Sequence, residues 1–254
     1  MIRLIKADFY RLFRAKGFYI TFLLIIVYAA LIVISQTVGS VGVNTTDLVD
    51  SKSIVWNLTL AVQYTAFSSP FLVYFLIGLF VILLGYEFSQ HTYKNSLTSG
   101  VSRLCFMLSK YVIQLTCFIV ASIFYFCGSA VIAFFKYGAE GIDMGGFFWD
   151  TFKLAIGVSL VISVIFSLAS LILVLSGSTV IASVFIVIYP VAIQIFAMLI
   201  DFDGLKYFDF FGLVQQIGVG AISGKELVPY IIVSLLLILL SIFGSSLTIR
   251  QKEL

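Results

Sequence analysis

Apolar residues run through the chain in six long stretches, and polar residues are confined to the ends and to the gaps between them. The stretches fall at about residues 18–35, 69–86, 110–135, 153–175, 180–200 and 229–247. Each is close to the roughly 20 residues a helix needs to cross a hydrocarbon core, so the pattern predicts six transmembrane helices. Ahead of the first stretch, residues 2–16 follow a different period. Ile2, Ile5, Phe9, Leu12 and Phe13 recur at three- and four-residue intervals, with Arg3, Lys6, Arg14 and their neighbours largely on the other side. Such a segment describes an amphipathic helix lying in the interface, its basic face toward anionic headgroups. The plainer reading is a basic tail that only sets topology, and the two are compatible.

The gaps carry their own signals. Residues 36–68 turn polar and small, then semi-apolar from Ile54 to Phe67, with Trp56, Tyr64 and Phe67 suited to rest at the interface. Asn57-Leu58-Thr59 matches the glycosylation triplet, but nothing else indicates a eukaryotic secretory context, so it is discounted. Pro70 suits the first turn of the second span, where a missing N–H costs nothing. Pro190, near the middle of the fifth, removes a helix hydrogen bond and is expected to kink it. Gln194, one turn later, is read as a helix–helix hydrogen bond in preference to a ligand contact, and Gln114 as a residue that wets the interface near a span end. Within residues 201–228, the apolar and glycine-punctuated interior from Tyr207 to Ala221 predicts a short re-entrant or interfacial helix.

Composition agrees with the pattern. Hydrophobic residues make up 61% and charged residues 11%, whereas a soluble fold needs about a quarter of its residues charged to cover its surface. A signal peptide is the one targeting alternative. No small-residue cleavage site follows the first span, which fits a retained anchor better than a cleaved leader. The expectation is a single transmembrane domain over 1–254. Cys105, Cys117 and Cys127 are odd in number and lack metal spacing, so they supply neither a disulfide framework nor a metal site.

Charge then orients the chain. Six spans put both termini on one side, together with the 87–110 and 176–179 connections. That side holds ten basic residues (Arg3, Lys6, Arg11, Arg14, Lys16, Lys94, Arg103, Lys110, Arg250 and Lys252) and three acids, Asp8, Glu87 and Glu253. The other side holds five basic and nine acidic residues. The two-to-one basic bias predicts that both termini lie in the cytoplasm.

Catalytic chemistry is not legible. There is no phosphate loop, no His-Glu-x-x-His zinc motif and no triad, since His91 is the only histidine. Bounded as above, spans 1, 3, 4, 5 and 6 have no charged residue in their interiors, which argues against a proton- or ion-coupled carrier. A membrane protein with neither nucleotide site nor coupling ion must draw its energy from a partner, or do no work.

That directs attention to the cytoplasmic-side segment from Glu87 to Arg103. Placed on a short helix, Tyr93, Leu97, Val101 and Leu104 share a stripe at about four-residue spacing that is expected to enter a hydrophobic groove on a soluble partner. Lys94 and Arg103 would pair with acids at its rim, and Glu87 with a base of the N-terminal helix or of the partner. The plainer reading is a topogenic loop whose basic residues merely stay inside.

Several of these segments carry a resemblance. Leu4-Ile5-Lys6-Ala7-Asp8-Phe9-Tyr10-Arg11-Leu12-Phe13-Arg14, Gly85-Tyr86-Glu87-Phe88, Thr92-Tyr93-Lys94-Asn95 and Ser99-Gly100-Val101-Ser102-Arg103, in this order among six spans, resemble the ABC-2 type permeases. These are transmembrane subunits of ABC transporters that work beside a separate ATPase. The resemblance implies an all-α membrane protein of the bacterial cell membrane, with an interfacial elbow helix over 2–16 (Arg3, Lys6, Phe9, Arg11, Phe13 and Arg14). It also implies a coupling helix drawing on Glu87, Thr92, Tyr93, Lys94, Leu97, Gly100, Val101 and Arg103. His91 stands where relatives often have glycine. The implied partners are two copies of an ATP-binding subunit, which hold the ATP and Mg²⁺, and a second permease chain, identical or a sister. This chain itself would hold no cofactor, metal or nucleic acid. Size and style look closest to small bacterial permeases for peptide export or immunity to lantibiotics and related bacteriocins. Lipid or drug efflux and a non-transporting scaffold or sensor are the alternatives.

Overall fold

A computed structural model describes residues 2–39, 56–98, 100–138, 143–200, 203–220 and 224–252. All regular structure among them is helical. In chain order the helices are α1 (Ile2–Arg14), α2 (Lys16–Ser35), α3 (Leu58–Phe67), α4 (Leu72–Phe80), α5 (Tyr86–Ser89), α6 (Tyr93–Thr98), α7 (Arg103–Tyr137), α8 (Met144–Ser176), α9 (Thr179–Leu199), α10 (Phe210–Val219) and α11 (Gly224–Lys252). A 3₁₀ turn at Ser69–Phe71 leads into α4, and a π-helical turn at Val81–Gly85 joins α4 to α5, so that Ser69–Ser89 forms one span. With α2, α7, α8, α9 and α11 it makes six helices long and apolar enough to cross a membrane.

Helix ends are set by side chains that meet the otherwise orphaned first N–H groups. Asn57 accepts from the Leu60 N–H at 2.8 Å and Ser102 from the Cys105 N–H at 3.3 Å. Asp143 accepts from both Gly145 and Gly146, at 3.1 Å each. The glycosylation-like triplet thus opens on the cap of α3. Helix α7, at 35 residues, is roughly 52 Å long, well beyond a hydrocarbon core of about 30 Å.

Helix α8 lies at the centre of the bundle and buries most of its length, whereas α2, α9 and α11 turn exposed Leu, Ile, Val and Phe outward. That outward apolar face is what a helix needs where the solvent is lipid. The core is built around Phe80, Phe118 and Phe166, whose rings meet at 5.8 Å and 4.6 Å. Serines on the buried face of α8 (Ser159, Ser163, Ser167 and Ser170) bond back to their own helix and let neighbouring helices come close.

The structure adds detail in one gap and departs from expectation at two residues, Gln114 and Lys110. The segment around Trp56 packs against the protein on one side: α3 buries Leu58, Ala61, Val62 and Ala66, and the Tyr125 hydroxyl donates to the Thr65 carbonyl at 2.9 Å. Gln114 is buried in α7, because that helix begins at Arg103 and carries it inward. For the same reason Lys110, taken as a boundary residue, sits well inside α7 and is 2% exposed. A helix interior therefore does hold a charge, for which partners have to be found. A short helix, α10, does occupy the apolar, glycine-punctuated part of the 201–228 gap, with Phe210, Phe211, Leu213 and Val214 buried against protein.

Candidate functional site

The partners of Lys110 come from two other elements. Its ammonium donates to Asp8 Oδ1 at 2.8 Å, Asp8 Oδ2 at 2.7 Å and Glu87 Oε1 at 2.7 Å, which occupies all three of its N–H donors. Arg11 Nη1 donates to the same Glu87 oxygen at 2.6 Å, and its Nη2 reaches the Leu83 carbonyl at 2.8 Å. Two acids and two bases thus form a neutral cluster that joins α1, the end of the second span and the start of the third. Asp8 is 5% and Glu87 8% exposed, while Arg11 stays half-exposed at the rim. Burial pushes the Asp8 carboxyl above its ordinary range, with the charge and hydrogen bonds of Lys110 pulling the other way.

This arrangement explains which face of α1 turns inward. Asp8 and Leu12 are buried, with Ile5 and Phe9 packed beside them, while Ile2 (71% exposed) and Phe13 (53% exposed) face outward. The expected apolar face is therefore split: part packs on the bundle, and part stays available beside Lys6, Tyr10 and Arg14. The Arg14 guanidinium lies over the Tyr10 ring at 4.7 Å.

The chain leaves the cluster through α5 and turns at His91, whose φ of 54° lies in the left-handed region that costs little only for glycine. A turn follows in which the Thr92 N–H donates to the Glu87 carbonyl at 3.0 Å. Helix α6 then runs to Thr98, and Gly100, at φ 88°, turns the chain into α7. The apolar stripe of this segment points largely inward. Tyr93 is buried and stacks on Phe88 at 4.7 Å between ring centroids, and Leu97 and Val101 pack against the bundle core. Of the stripe, Tyr93 is thus covered by its own protein, Leu97 and Val101 are partly covered, and Leu104 stays exposed at 39%. The loop's exposed side is polar and basic: His91, Thr92, Lys94, Asn95, Thr98, Gly100, Ser102 and Arg103.

Of the two residues noted in the fifth span, Pro190 is buried within α9, and Gln194 makes a hydrogen bond between elements, its Nε2 donating to Asp209 Oδ1 at 3.3 Å. Asp209 caps α10 through the Gly212 N–H at 3.0 Å. Burial raises its carboxyl above the ordinary range, partly offset by the Gly212 and Gln194 hydrogen bonds. An apolar groove of about 430 Å³ opens between α7 and α8, lined by Ile123, Phe126, Cys127, Phe148, Trp149 and Phe152 among others. Among the described residues there is no grouping of His, Cys, Asp and Glu able to hold a metal ion.

A family model described as "ABC-2 family transporter protein" matches residues 4–193. The chain belongs to the ABC-2 transporter family. The match takes in α1, the ionic cluster, the α5–α6 loop and the spans through the middle of α9. A search of curated proteins produced no match. Membership makes this a multi-pass membrane permease that works with an ATP-binding cassette subunit, consistent with the bacterial cell membrane. Asp8, Lys110 and Asp209 are the residues that sequence reasoning left unassigned. The one signal for the first two was an acid inside an otherwise basic N-terminal segment and a lysine at the edge of an apolar run.

Proposed function

We propose that this ABC-2 permease is the membrane subunit of a bacterial exporter whose separate ATPase docks on the exposed face of the 87–103 loop. The observation that carries this reading is the division of the loop into two faces. Its apolar side is fastened to the bundle, and a polar, basic side is left projecting from a stem tied down by Lys110. Lys94 and Arg103 give that face positive charge, which suits an acidic rim on a soluble partner and contributes orientation more than affinity. Glu87 belongs to the stem rather than to the docking face. With both termini in the cytoplasm, α1 is the elbow helix, its outward Ile2, Tyr10 and Phe13 in the headgroup layer and Lys6 and Arg14 toward anionic lipid.

One six-span chain is small for a translocation path, so two permease chains, identical or sister, work with two ATPases. The spans offer Phe-rich apolar surface, which supports an amphipathic or hydrophobic cargo such as a membrane-inserting peptide of the lantibiotic or bacteriocin kind. The lateral apolar groove between α7 and α8 favours lipid or drug efflux as the second reading.

The test has two arms. Purified in mild detergent from native membranes, the chain is expected to bring an ATPase with it, and Lys94→Glu with Arg103→Glu to abolish that association while insertion is retained. An ATPase retained by the double variant would rule out docking through this face, and its absence from wild-type preparations would favour the scaffold reading. In the second arm, loss of the gene is expected to raise sensitivity to a membrane-active peptide or to stop its secretion; unchanged behaviour in both removes the peptide reading.

A further inference from the structure

The π turn at Val81–Gly85 sits directly above the docking loop, and its geometry has an effect on everything below it. The Tyr86 N–H donates to the Val81 carbonyl, five residues back where an α-helix would use four, so the span contains one residue more than regular winding allows. Two carbonyls of this turn are held from outside the helix. Arg11 Nη2 of α1 donates to Leu83 O at 2.8 Å, and the Thr179 hydroxyl, at the first residue of α9, donates to Gly85 O at 3.1 Å. At Gly85 the approach is close enough that a Cβ would stand 2.6 Å from Thr179 Cγ2.

We infer that this π turn is a register switch, latched in its present state by Arg11 and Thr179, that sets the rotation of the segment from Tyr86 to Thr98. Regular α winding would turn that segment by about 100° and shift it by about 1.5 Å, one residue's worth. Tyr86, now 54% exposed, would take the place of Glu87, and Glu87 that of Phe88, which is 4% exposed. The π register is therefore what presents Glu87 to Lys110 and Phe88 to Tyr93. Because the latches sit on α1 and α9, movement of either helix can release the turn. A docked partner pulling on the loop would drive the same rotation from below. That last consequence rests on the docking reading, whereas the switch does not.

The test uses full-length protein in membranes, with the three native cysteines replaced and a single thiol introduced by Tyr86→Cys or Phe88→Cys. In the latched state a membrane-permeant maleimide is expected to label the position 86 thiol and spare the position 88 thiol. Arg11→Gln combined with Thr179→Val releases both latches, and Gly85→Ala independently forces the turn against Thr179. Either change is expected to reverse the pattern, with labelling at 88 rising severalfold and labelling at 86 falling. Deletion of Ile82, which removes the extra residue outright, leaves Tyr86 and Phe88 in their present places on a regular α-helix and gives a latched pattern that the two latch changes no longer reverse. An unchanged pattern in both latch variants would overturn the inference, and so would a parallel rise at the two positions, which signals fraying rather than rotation. Failure of the docking reading appears separately, as an ATPase that does not co-purify from any of these membranes.

Discussion

The two ends of the bundle solve the same problem by different chemistry. At the end that carries α1 and α6, segments outside the spans are fastened by charge: Lys110 draws Asp8 and Glu87 into the protein, with Arg11 closing the rim. At the other end, α3 and α10 are fastened by close contact. A Cβ at Gly218 would stand 2.8 Å from Ala66 Cβ and 2.9 Å from its backbone carbon, so the two short helices touch nearly at their backbones. There the polar groups act as caps, as Asn57, Asp209 and Lys136 do, the last donating to the Val33 and Ile34 carbonyls at the end of α2, at 3.1 Å and 2.9 Å. Close packing resists displacement in every direction once a void would open. A buried ion cluster gives little net stability relative to apolar residues, but it is strict about which groups may meet. The charged end thus suits a part that has to hold one of a few discrete arrangements, and the packed end suits a lid that stays put.

The largest test of this contrast removes one charge. Lys110→Met leaves Asp8 and Glu87 with only the half-exposed Arg11 as a cation and is expected to cost about 3–5 kcal/mol, measured by unfolding in detergent. Adding Asp8→Asn and Glu87→Gln to it should restore most of that stability, since the penalty lies in the uncompensated charge. If the triple variant is no better than the single, the cluster stabilises by packing, and the distinction between the ends collapses. Next in size is Gly218→Ala at the packed end, where the methyl has no space and neither backbone can yield; overpacking of this kind costs about 1–3 kcal/mol. The same readout should show this loss unaffected by salt or by any neighbouring charge.

How far this could be read from the sequence differs between the ends for a physical reason. Span number and order were legible because hydropathy along a single helix needs no partner. Lys110 was not, because a lysine at the edge of an apolar run is compatible with solvent and with the interior. Its acids lie 102 and 23 residues away. The α6 stripe shows the complementary limit: a period of four announces a covered face, but whether the cover is a partner or the protein's own core is a tertiary fact. His91 was the better local signal, since the resemblance suggested glycine at this place and the residue adopts a positive φ.

The smallest effect concerns Asp209, a part-buried acid outside the spans at the packed end. Asp209→Ala removes the cap of α10 and the acceptor for Gln194, for an expected loss of about 1 kcal/mol. Asp209→Asn keeps an oxygen for the Gly212 N–H and separates capping from charge. Because burial raises the folded-state carboxyl, the group's contribution to stability is fully present below the ordinary aspartate range and is lost as pH rises through the raised value. The wild type should therefore lose ground to Asp209→Asn on going from acid to neutral pH, and the two melting curves should converge in acid. A gap that widens in acid instead would mean that the ionised carboxylate is the form the fold prefers, and that this end, too, is held by charge.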